Sequence, residues 1–340
     1  MSVQFGLRVP MVGTPQDTGA YAARVEAAGF DFMWMPDTPM LAGQWRDVYI
    51  HLTCAALETS TMRLGPGVTN PITRHPVTTS SAIVTLDEVS GGRADLVVGT
   101  GYSSAYIVGR KAATLANMRA STALWRSIFS GAQTDLGGHE MALNNPCPQL
   151  PIYLAASGPK ALQLAGEVAD GVLIMVGSAP GCVSWALEQV EIGMERGGRK
   201  RADVRRMLVV NACVDSDRDR AIDLMRPCVA NLCRNRMSET LFARAGLDAP
   251  KRPADMMVDP YPDLSHAADW EEAKRVSAFV PDEAVEAMIP LGSGAEVAAH
   301  VRSLVDLDID AIWFRDEASW TRPDALLEGL STDVLPLLRA

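Results

Sequence analysis

Short apolar runs alternate with longer amphipathic segments along the first 175 residues of the chain. The apolar runs predict buried strands, because a strand covered on both faces shows no polar alternation. We expect these strands at Gln4–Val9, Phe32–Met35, Met62–Gly67, Ala94–Gly99, Ile152–Ala156 and Val172–Met175. The segments between them have helical spacing, and we expect helices at Pro15–Ala28, Val48–Glu58, Val77–Val89, Ala116–Phe129 and Lys160–Val168.

The second half of the chain is less regular. It predicts a helix at Val183–Met194, a long seventh strand at Arg206–Val214 and a helix at Asp217–Asn231. A proline-bearing stretch, Leu247–Phe279, has no clean period. The helix–strand pattern then returns with a helix at Ala295–Leu304, a strand at Ala311–Phe314 and a closing helical segment at Pro323–Leu338.

Eight strands separated by helices predict an α/β fold, the TIM (β/α)8 barrel, since helical crossovers of this length join parallel strands. We expect one domain over residues 1–340. Insertion segments interrupt it, the largest from about residue 215 to 293, before the eighth strand.

Composition and charge exclude several classes of function. The net charge is -10, and the basic residues form no cluster beyond Arg199–Arg201, which argues against a nucleic-acid partner. The six cysteines form no CxxC pair, so neither a metal site nor a disulfide framework is expected. No signal peptide and no apolar run of membrane-spanning length is visible, and we expect a cytoplasmic protein with no membrane partner.

Candidate chemistry lies in the loops that follow the strands, where TIM barrels place their active sites. Five of these loops are rich in small and polar residues: Pro36–Pro39, Gly67–Pro71, Thr100–Ser104, Ala155–Pro159 and Gly177–Ser178. Ser157-Gly158-Pro159 opens a helix, and its backbone N–H groups would suit a phosphate, with more donors from Gly177-Ser178. The alternative is an ordinary turn in which Ser157 caps the helix.

Three segments carry a resemblance to a known family. They are Gly67–Pro76 (GVTNPITRHP), Leu86–Arg93 (LDEVSGGR) and Val97–Gly101 (VVGTG), and Ala155–Pro159 (AASGP) is also similar. The chain thereby resembles the luciferase-like oxidoreductases, and especially the branch that uses the deazaflavin coenzyme F420, including the methylene-tetrahydromethanopterin reductases. The resemblance covers most of residues 1–180 and the final strand and helix, but not the region from about 217 to 280.

The resemblance implies a cofactor site. It places a non-prolyl cis peptide at Gly67-Val68, which would press Val68 against one face of the cofactor ring. A plain strand-end turn at Gly65-Pro66-Gly67 is the alternative. The full set of expected cofactor-binding residues is Gly67, Val68, Thr69, Asn70, Thr100, Gly101, Tyr102, Ser103, Ala155, Ala156, Ser157, Gly158, Gly177 and Ser178.

Three residues are candidates for catalysis. Asp37 matches a family aspartate near the ring, although it would also serve as a turn cap. Thr38 stands where the deazaflavin-dependent sugar-phosphate dehydrogenases often have a histidine, and a hydroxyl without a base is a poor proton shuttle. His75 is the best placed of five histidines, and its alternative is a structural hydrogen bond.

We interpret the chain as an F420-dependent enzyme that transfers a hydride between the deazaflavin C5 and a small organic substrate. The first alternative is an FMN-dependent monooxygenase that uses O2 and reduced flavin from a partner reductase. The second is a barrel that has lost cofactor binding. The resemblance implies a homodimer or larger homo-oligomer. Trp45 is a candidate wall of the substrate site, and Tyr261, His266 and Trp270 of the insertion are candidates to reach the substrate.

Overall fold

The computed structural model describes residues 3–41, 46–234, 236–254, 260, 264–316 and 320–339. Trp45 and Tyr261 lie outside the described residues. The main sheet has eight strands: β1 Gln4–Arg8, β2 Phe32–Met35, β3 Arg63–Pro66, β4 Leu96–Val98, β5 Ile152–Ala156, β6 Gly171–Ile174, β7 Arg205–Asn211 and β8 Ala311–Arg315.

The order of these strands is that of a barrel. It runs β3-β2-β1-β8-β7-β6-β5-β4, and isolated parallel bridges pair Leu64 with Ala94 and Thr69 with Val98. The two outer strands of the order are therefore also neighbours. A cyclic order of parallel strands that follows the chain is the topology of the (β/α)8 barrel, and the predicted TIM fold is confirmed.

The predicted helices of the first half are present, together with one short helix that was not predicted, and the second half contains more helices than predicted. Their bounds are α1 Pro15–Ala27, α2 Val48–Glu58, α3 Pro76–Ser90, α4 Tyr102–Ile107, α5 Leu115–Ser130, α6 Pro159–Val168, α7 Pro180–Arg196, α8 Arg218–Cys233, α9 Ser238–Arg244, α10 Trp270–Ser277, α11 Asp282–Met288, α12 Gly294–Val305, α13 Asp324–Gly329 and α14 Leu335–Arg339. No helix in the described part of the chain is long and apolar enough to span a membrane.

One expectation for the second half was wrong, and one helix there was not predicted. The long seventh strand ends at Asn211, and the next two residues that pair, Cys213–Val214, form a separate parallel ladder with Leu291–Gly292. The stretch without a clean period contains a helix, α10, which is capped by Asp269 and packs against α8 through the Trp270 indole, whose N–H donates to the Leu224 carbonyl (3.1 Å).

The chain separates into two compact units. One comprises Met11–Leu173 and Val190–Arg205, and the other comprises Met1–Pro10, Ile174–Gln189 and Arg206–Ala340.

In the unit built around residues 11–173, Asp95 ties three strands together. Its buried carboxylate accepts from the Trp34 indole N–H (3.0 Å) and from Arg63 Nε (2.8 Å) and Nη2 (2.6 Å). A buried carboxylate needs this many donors, because isolated burial of its charge is expensive. Gly65 lies directly against the Asp95 backbone, where a Cβ would come within 2.2 Å of the carbonyl oxygen.

A second carboxylate, Glu26 near the end of α1, organises the turn between α2 and β3. Its Oε1 accepts from the backbone N–H groups of Thr61 (2.7 Å) and Met62 (2.7 Å), and Ser60 N–H donates to both oxygens (3.0 and 3.1 Å). Burial opposes ionisation, but these N–H groups outweigh it and lower the pKa of Glu26 to about 2.

We expect Glu26→Gln to lower the free energy of unfolding by about 1–2 kcal/mol at pH 7, a value reduced for the partly exposed site. The folded-state pKa is depressed, so the contribution is present above the unfolded pKa and is lost as pH falls toward 2. Urea denaturation at pH 7, 4 and 2.5 measures this. Glu58→Gln, at an exposed position of α2, is the control, and a Glu26→Gln deficit that stays constant with pH contradicts the prediction.

Candidate active site

The loops after β2 and β3 meet at a buried ion pair. Asp37 is 2% exposed, and its Oδ2 accepts from Arg74 Nε (2.8 Å) and from the Thr69 hydroxyl (2.7 Å). Arg74 also donates to Asp47 (2.7 Å), and its guanidinium lies 5.0 Å from the centre of the Tyr49 ring. Burial opposes the charge on Arg74, but Asp37 and Asp47 outweigh it and raise its pKa.

Thr69 joins this pair to the neighbouring strand. Its side chain bonds Asp37, while its backbone N–H donates to Val97 O (2.9 Å) and its carbonyl accepts from Gly99 N–H (2.8 Å). The peptide bond between Gly67 and Val68, the two residues before it, is cis, as the family resemblance implied. Three successive loops are thereby fixed relative to one another.

Val68 projects from this junction as a partly exposed side chain. Gly99, at the end of β4, makes room for it: a Cβ on residue 99 would lie 2.7 Å from Val68 Cγ2. Ala155, which follows on β5, is the next nearest neighbour at 3.9 Å from the same position. The absence of a side chain at residue 99 therefore leaves the space that Val68 occupies.

Asn70 holds the rest of the loop by four hydrogen bonds. Its Oδ1 accepts from the N–H groups of Ile72 (3.0 Å) and Thr73 (2.9 Å), and its Nδ2 donates to the hydroxyls of Thr73 and Ser104 (both 2.9 Å). Gly101 packs on the amide with φ +78°, and a Cβ there would lie 2.6 Å from Asn70 Cγ. A side chain at residue 101 would meet both strain and a clash.

Gly101 is also the N-cap of α4, a short helix that the sequence did not predict. Tyr102, its first residue, is 71% exposed, and Ser103 is half-buried. Thr100 is partly exposed, and its carbonyl accepts from Ala113 N–H (2.8 Å).

The N-cap of α6 is Gly158, not Ser157, and no side chain caps this helix. A Cβ at Gly158 would have no atom within 4 Å, so the helix begins at an open surface. Ala156 is buried, and Ala155 and Ser157 are partly exposed beside it. An uncapped helix start in open space keeps backbone N–H groups available to an anion.

Gly177 and Ser178 lie in the other compact unit. Both donors of Ser178, its N–H (3.0 Å) and its hydroxyl (2.5 Å), bond the Met288 carbonyl, and His300 bonds the Ser178 carbonyl (2.8 Å). Gly177 has φ +81°, and a Cβ there would lie 3.0 Å from Met288 Sδ. The Ser178 donors are thus committed to the loop after α11.

The remaining catalytic candidates differ in exposure. His75 is exposed and caps α3, where its Nδ1 accepts from Val77 N–H (3.3 Å). In the neutral ring that bond places the proton on Nε2. Thr38 is 8% exposed, next to the buried ion pair. Among the described residues, no group of three or more His, Cys, Asp or Glu side chains is arranged to hold a metal, and the six cysteines form no disulfide.

Sequence reasoning missed Arg74, whose place in the RHP motif drew attention to the histidine beside it. A signal was present, because an aspartate that is buried at a strand end, as Asp37 is, needs a cationic partner. It also missed Ser104, because a hydroxyl inside an unpredicted helix carries no pattern of its own.

Comparison with known proteins places these features among related enzymes. Residues 2–311 match the model of a family described as luciferase-like monooxygenase. A 5,10-methylenetetrahydromethanopterin reductase of Archaeoglobus fulgidus is 36% identical, over 67% of this chain and 69% of that one. An F420-dependent glucose-6-phosphate dehydrogenase of Beutenbergia cavernae is 27% identical, over 96% and 94%. The coenzyme F420-dependent tetrahydromethanopterin reductase of Methanopyrus kandleri has the same fold, with a TM-score of 0.80 over 99% of both chains at 23% identity.

We expect Asp37→Asn to lower the free energy of unfolding by about 2–4 kcal/mol, because it leaves Arg74 partly buried beside a neutral amide. Urea denaturation measures the loss. Asp282→Asn is the matched control, since that carboxylate also pairs with an arginine but is 67% exposed, and it should cost under about 1 kcal/mol. Equal losses in the two variants would show that burial adds nothing to the Asp37 pair.

Proposed function

The chain belongs to the luciferase-like monooxygenase family, and from this premise we propose that it is a coenzyme F420-dependent oxidoreductase. When bound, the deazaflavin supplies a hydride donor or acceptor at C5 for a small organic substrate. The observation that carries the proposal is the fit between Gly99 and Val68, which holds an apolar side chain in place beside a rigid polar loop. The F420-dependent enzymes among the similar proteins support the choice of deazaflavin.

The residues present suit a flat ring with an anionic tail. Val68, which lies against Gly99, offers an apolar contact for one ring face, with Ala155 on the next strand. Thr69, Asn70, Thr100 and Gly101 form the fixed loop wall, and Tyr102 and Ser103 lie at the start of α4. The uncapped α6 start at Ser157-Gly158 suits a phosphate. Gly67 and Ala156 complete the proposed set as backbone and packing positions, and Gly177 and Ser178 stay predictions from the sequence.

We assign Asp37 a positioning role. Its carboxylate accepts from two groups, Arg74 and Thr69, so its charge is compensated inside the fold and it holds the loop that carries Val68. Two groups are left as candidates to move a proton: the Thr38 hydroxyl, which is buried, and His75, whose Nε2 carries the proton in the neutral ring.

The domain organisation and assembly belong to the same proposal. Residues 1–340 form one luciferase-like domain with an insertion at about 215–293, and the protein acts as a homodimer or larger homo-oligomer. The similarity of the full-length relatives supports the first statement. Size-exclusion chromatography with light scattering tests the second.

We expect F420 to bind the purified protein at least tenfold more tightly than FMN, which corresponds to about 1.4 kcal/mol. Fluorescence quenching of each cofactor, titrated separately, measures both dissociation constants. Tight binding of FMN alone would favour a flavin-dependent monooxygenase instead. Binding of neither would favour a barrel without a cofactor.

We expect Gly99→Ala to cost about 1–3 kcal/mol of stability, because its new Cβ overlaps Val68 Cγ2. The displaced Val68 should also weaken F420 binding about tenfold or more. Adding Val68→Ala to this variant removes the clash, so it should restore the stability but not the affinity. If the double variant recovered both the stability and the F420 affinity, Val68 would not contact the cofactor.

A further inference from the structure

Two tyrosines stand on one side of α4. Tyr102 and Tyr106 are 71% and 74% exposed, and they are the only exposed aromatic side chains among the described residues. Residues four apart in a helix lie on the same side, about 6 Å apart along the axis. A single exposed apolar residue is ordinary, but two large rings on one side of a helix form a contact surface for a flat ligand. Tyr102 and Tyr106 together form the α4 face.

The rest of the helix is held in place by the fold. On its other side Ser104 and Ala105 are buried, and the Ser104 hydroxyl accepts from the Asn70 amide (2.9 Å). The helix ends in a tight turn, in which the Arg110 N–H donates back to the Ala105 carbonyl (2.8 Å). A surface that is already fixed before binding loses little conformational entropy when a ligand binds.

The part of the chain that contains α4 is positively charged. Residues 96–134 include no acidic residue, although the whole chain has a net charge of -10. The same stretch contains four basic residues, which are Arg110, Lys111, Arg119 and Arg126. An acidic protein with one acid-free stretch of this kind attracts anions there and repels them elsewhere.

Two of these four cations lack a partner. Arg119 and Arg126 each pair with a carboxylate, at 2.7 and 2.8 Å. Arg110 and Lys111 directly follow α4, and both are exposed. Their side chains make no hydrogen bond or ion pair within the described part of the chain. Exposed aromatic rings next to two unpaired cations are suited to an anion with a flat apolar body.

We propose that the α4 face, together with Arg110 and Lys111, binds a planar aromatic anion as the substrate of the oxidoreductase. The inference rests on the proposed function and names the class of substrate. The tyrosine rings stack on the flat body of the ligand, and the two cations attract its charged group.

The position of the α4 face favours the substrate over the cofactor. The helix begins at Gly101, which packs on Asn70 in the loop that carries Val68. The face therefore begins next to the loop proposed to contact the cofactor ring. The proposed site for the cofactor's phosphate is the start of α6, at Ser157-Gly158. The two cations after α4 are thus left for a second anion.

The test is calorimetric titration of the whole protein, without cofactor and at low ionic strength, with 2-naphthoate, a planar aromatic carboxylate. Decahydro-2-naphthoate keeps the charge but not the flat ring, and 2-naphthylmethanol keeps the ring but not the charge. 2-Naphthoate should bind at least fivefold more tightly than either. Equal binding of either control compound would overturn the proposal, as would failure of 2-naphthoate to bind.

Variants locate the binding. Tyr106→Ala should weaken 2-naphthoate binding about fivefold, while Tyr106→Phe, which keeps the ring, should retain the native affinity. Arg110→Gln should weaken it about threefold, and this loss should disappear at high ionic strength. Arg126→Gln is the matched control, since it removes an exposed arginine that already pairs with a carboxylate. An unchanged affinity in Tyr106→Ala would overturn the proposal.

Titration in the presence of F420 separates a substrate from the cofactor. The affinity for 2-naphthoate should be retained or increased in protein saturated with F420, because a substrate and its cofactor are bound together. Tyr106→Ala should leave the F420 dissociation constant unchanged. Competition between the two ligands, or an equal loss of F420 affinity in this variant, would assign the α4 face to the cofactor and overturn the proposal.

The measurements without cofactor keep this inference distinguishable from the proposed function. If the native protein does not bind F420, the proposed function is wrong, and the 2-naphthoate titrations alone decide whether the α4 face binds an aromatic anion. Light scattering tests the remaining occupant, a second copy of the chain. A lower molar mass for Tyr106→Ala than for the native protein would show that the face is a subunit contact and would overturn the proposal.

Discussion

Thr69 is the residue through which the strand ends at the proposed site are fixed. Its backbone joins β4 through Val97 and Gly99, and its hydroxyl bonds the carboxylate of Asp37 in the loop after β2. Because the N–H, the carbonyl and the hydroxyl of Thr69 are all hydrogen-bonded, the backbone of the residues on either side of it has little conformational freedom. Val68, directly before it, is therefore held against Gly99, and Asn70, directly after it, is placed to organise the turn toward α3.

Two buried carboxylates, Asp95 and Asp37, are each compensated by several donors. Arg63 and Trp34 donate to the first, and Arg74 and Thr69 donate to the second. Compensated charges of this kind fix the relative positions of strands and loops, because breaking one partner leaves the other buried alone. Rigid pairs of this kind give a binding site the stiff support that it needs.

Close backbone approach is the second constraint on these loops. Gly65 lies against the Asp95 carbonyl, Gly99 under Val68, and Gly101 on the Asn70 amide. At each position a methyl group would overlap a neighbour. The glycines therefore fix how near the strand ends come to one another, and the polar side chains fix their orientation.

The sequence by itself determined the eight-stranded barrel and most helix bounds in the first half, because apolar periodicity carries that information. The cis peptide at Gly67-Val68 was an expectation from the family resemblance of that segment. The sequence did not determine the end of the seventh strand or the helices within the insertion, where tertiary packing outweighs weak local patterns. Nor did it reveal the Arg74–Asp37 pair. Residues far apart in the chain meet there only after the strands have aligned, so their charges become neighbours through the fold alone.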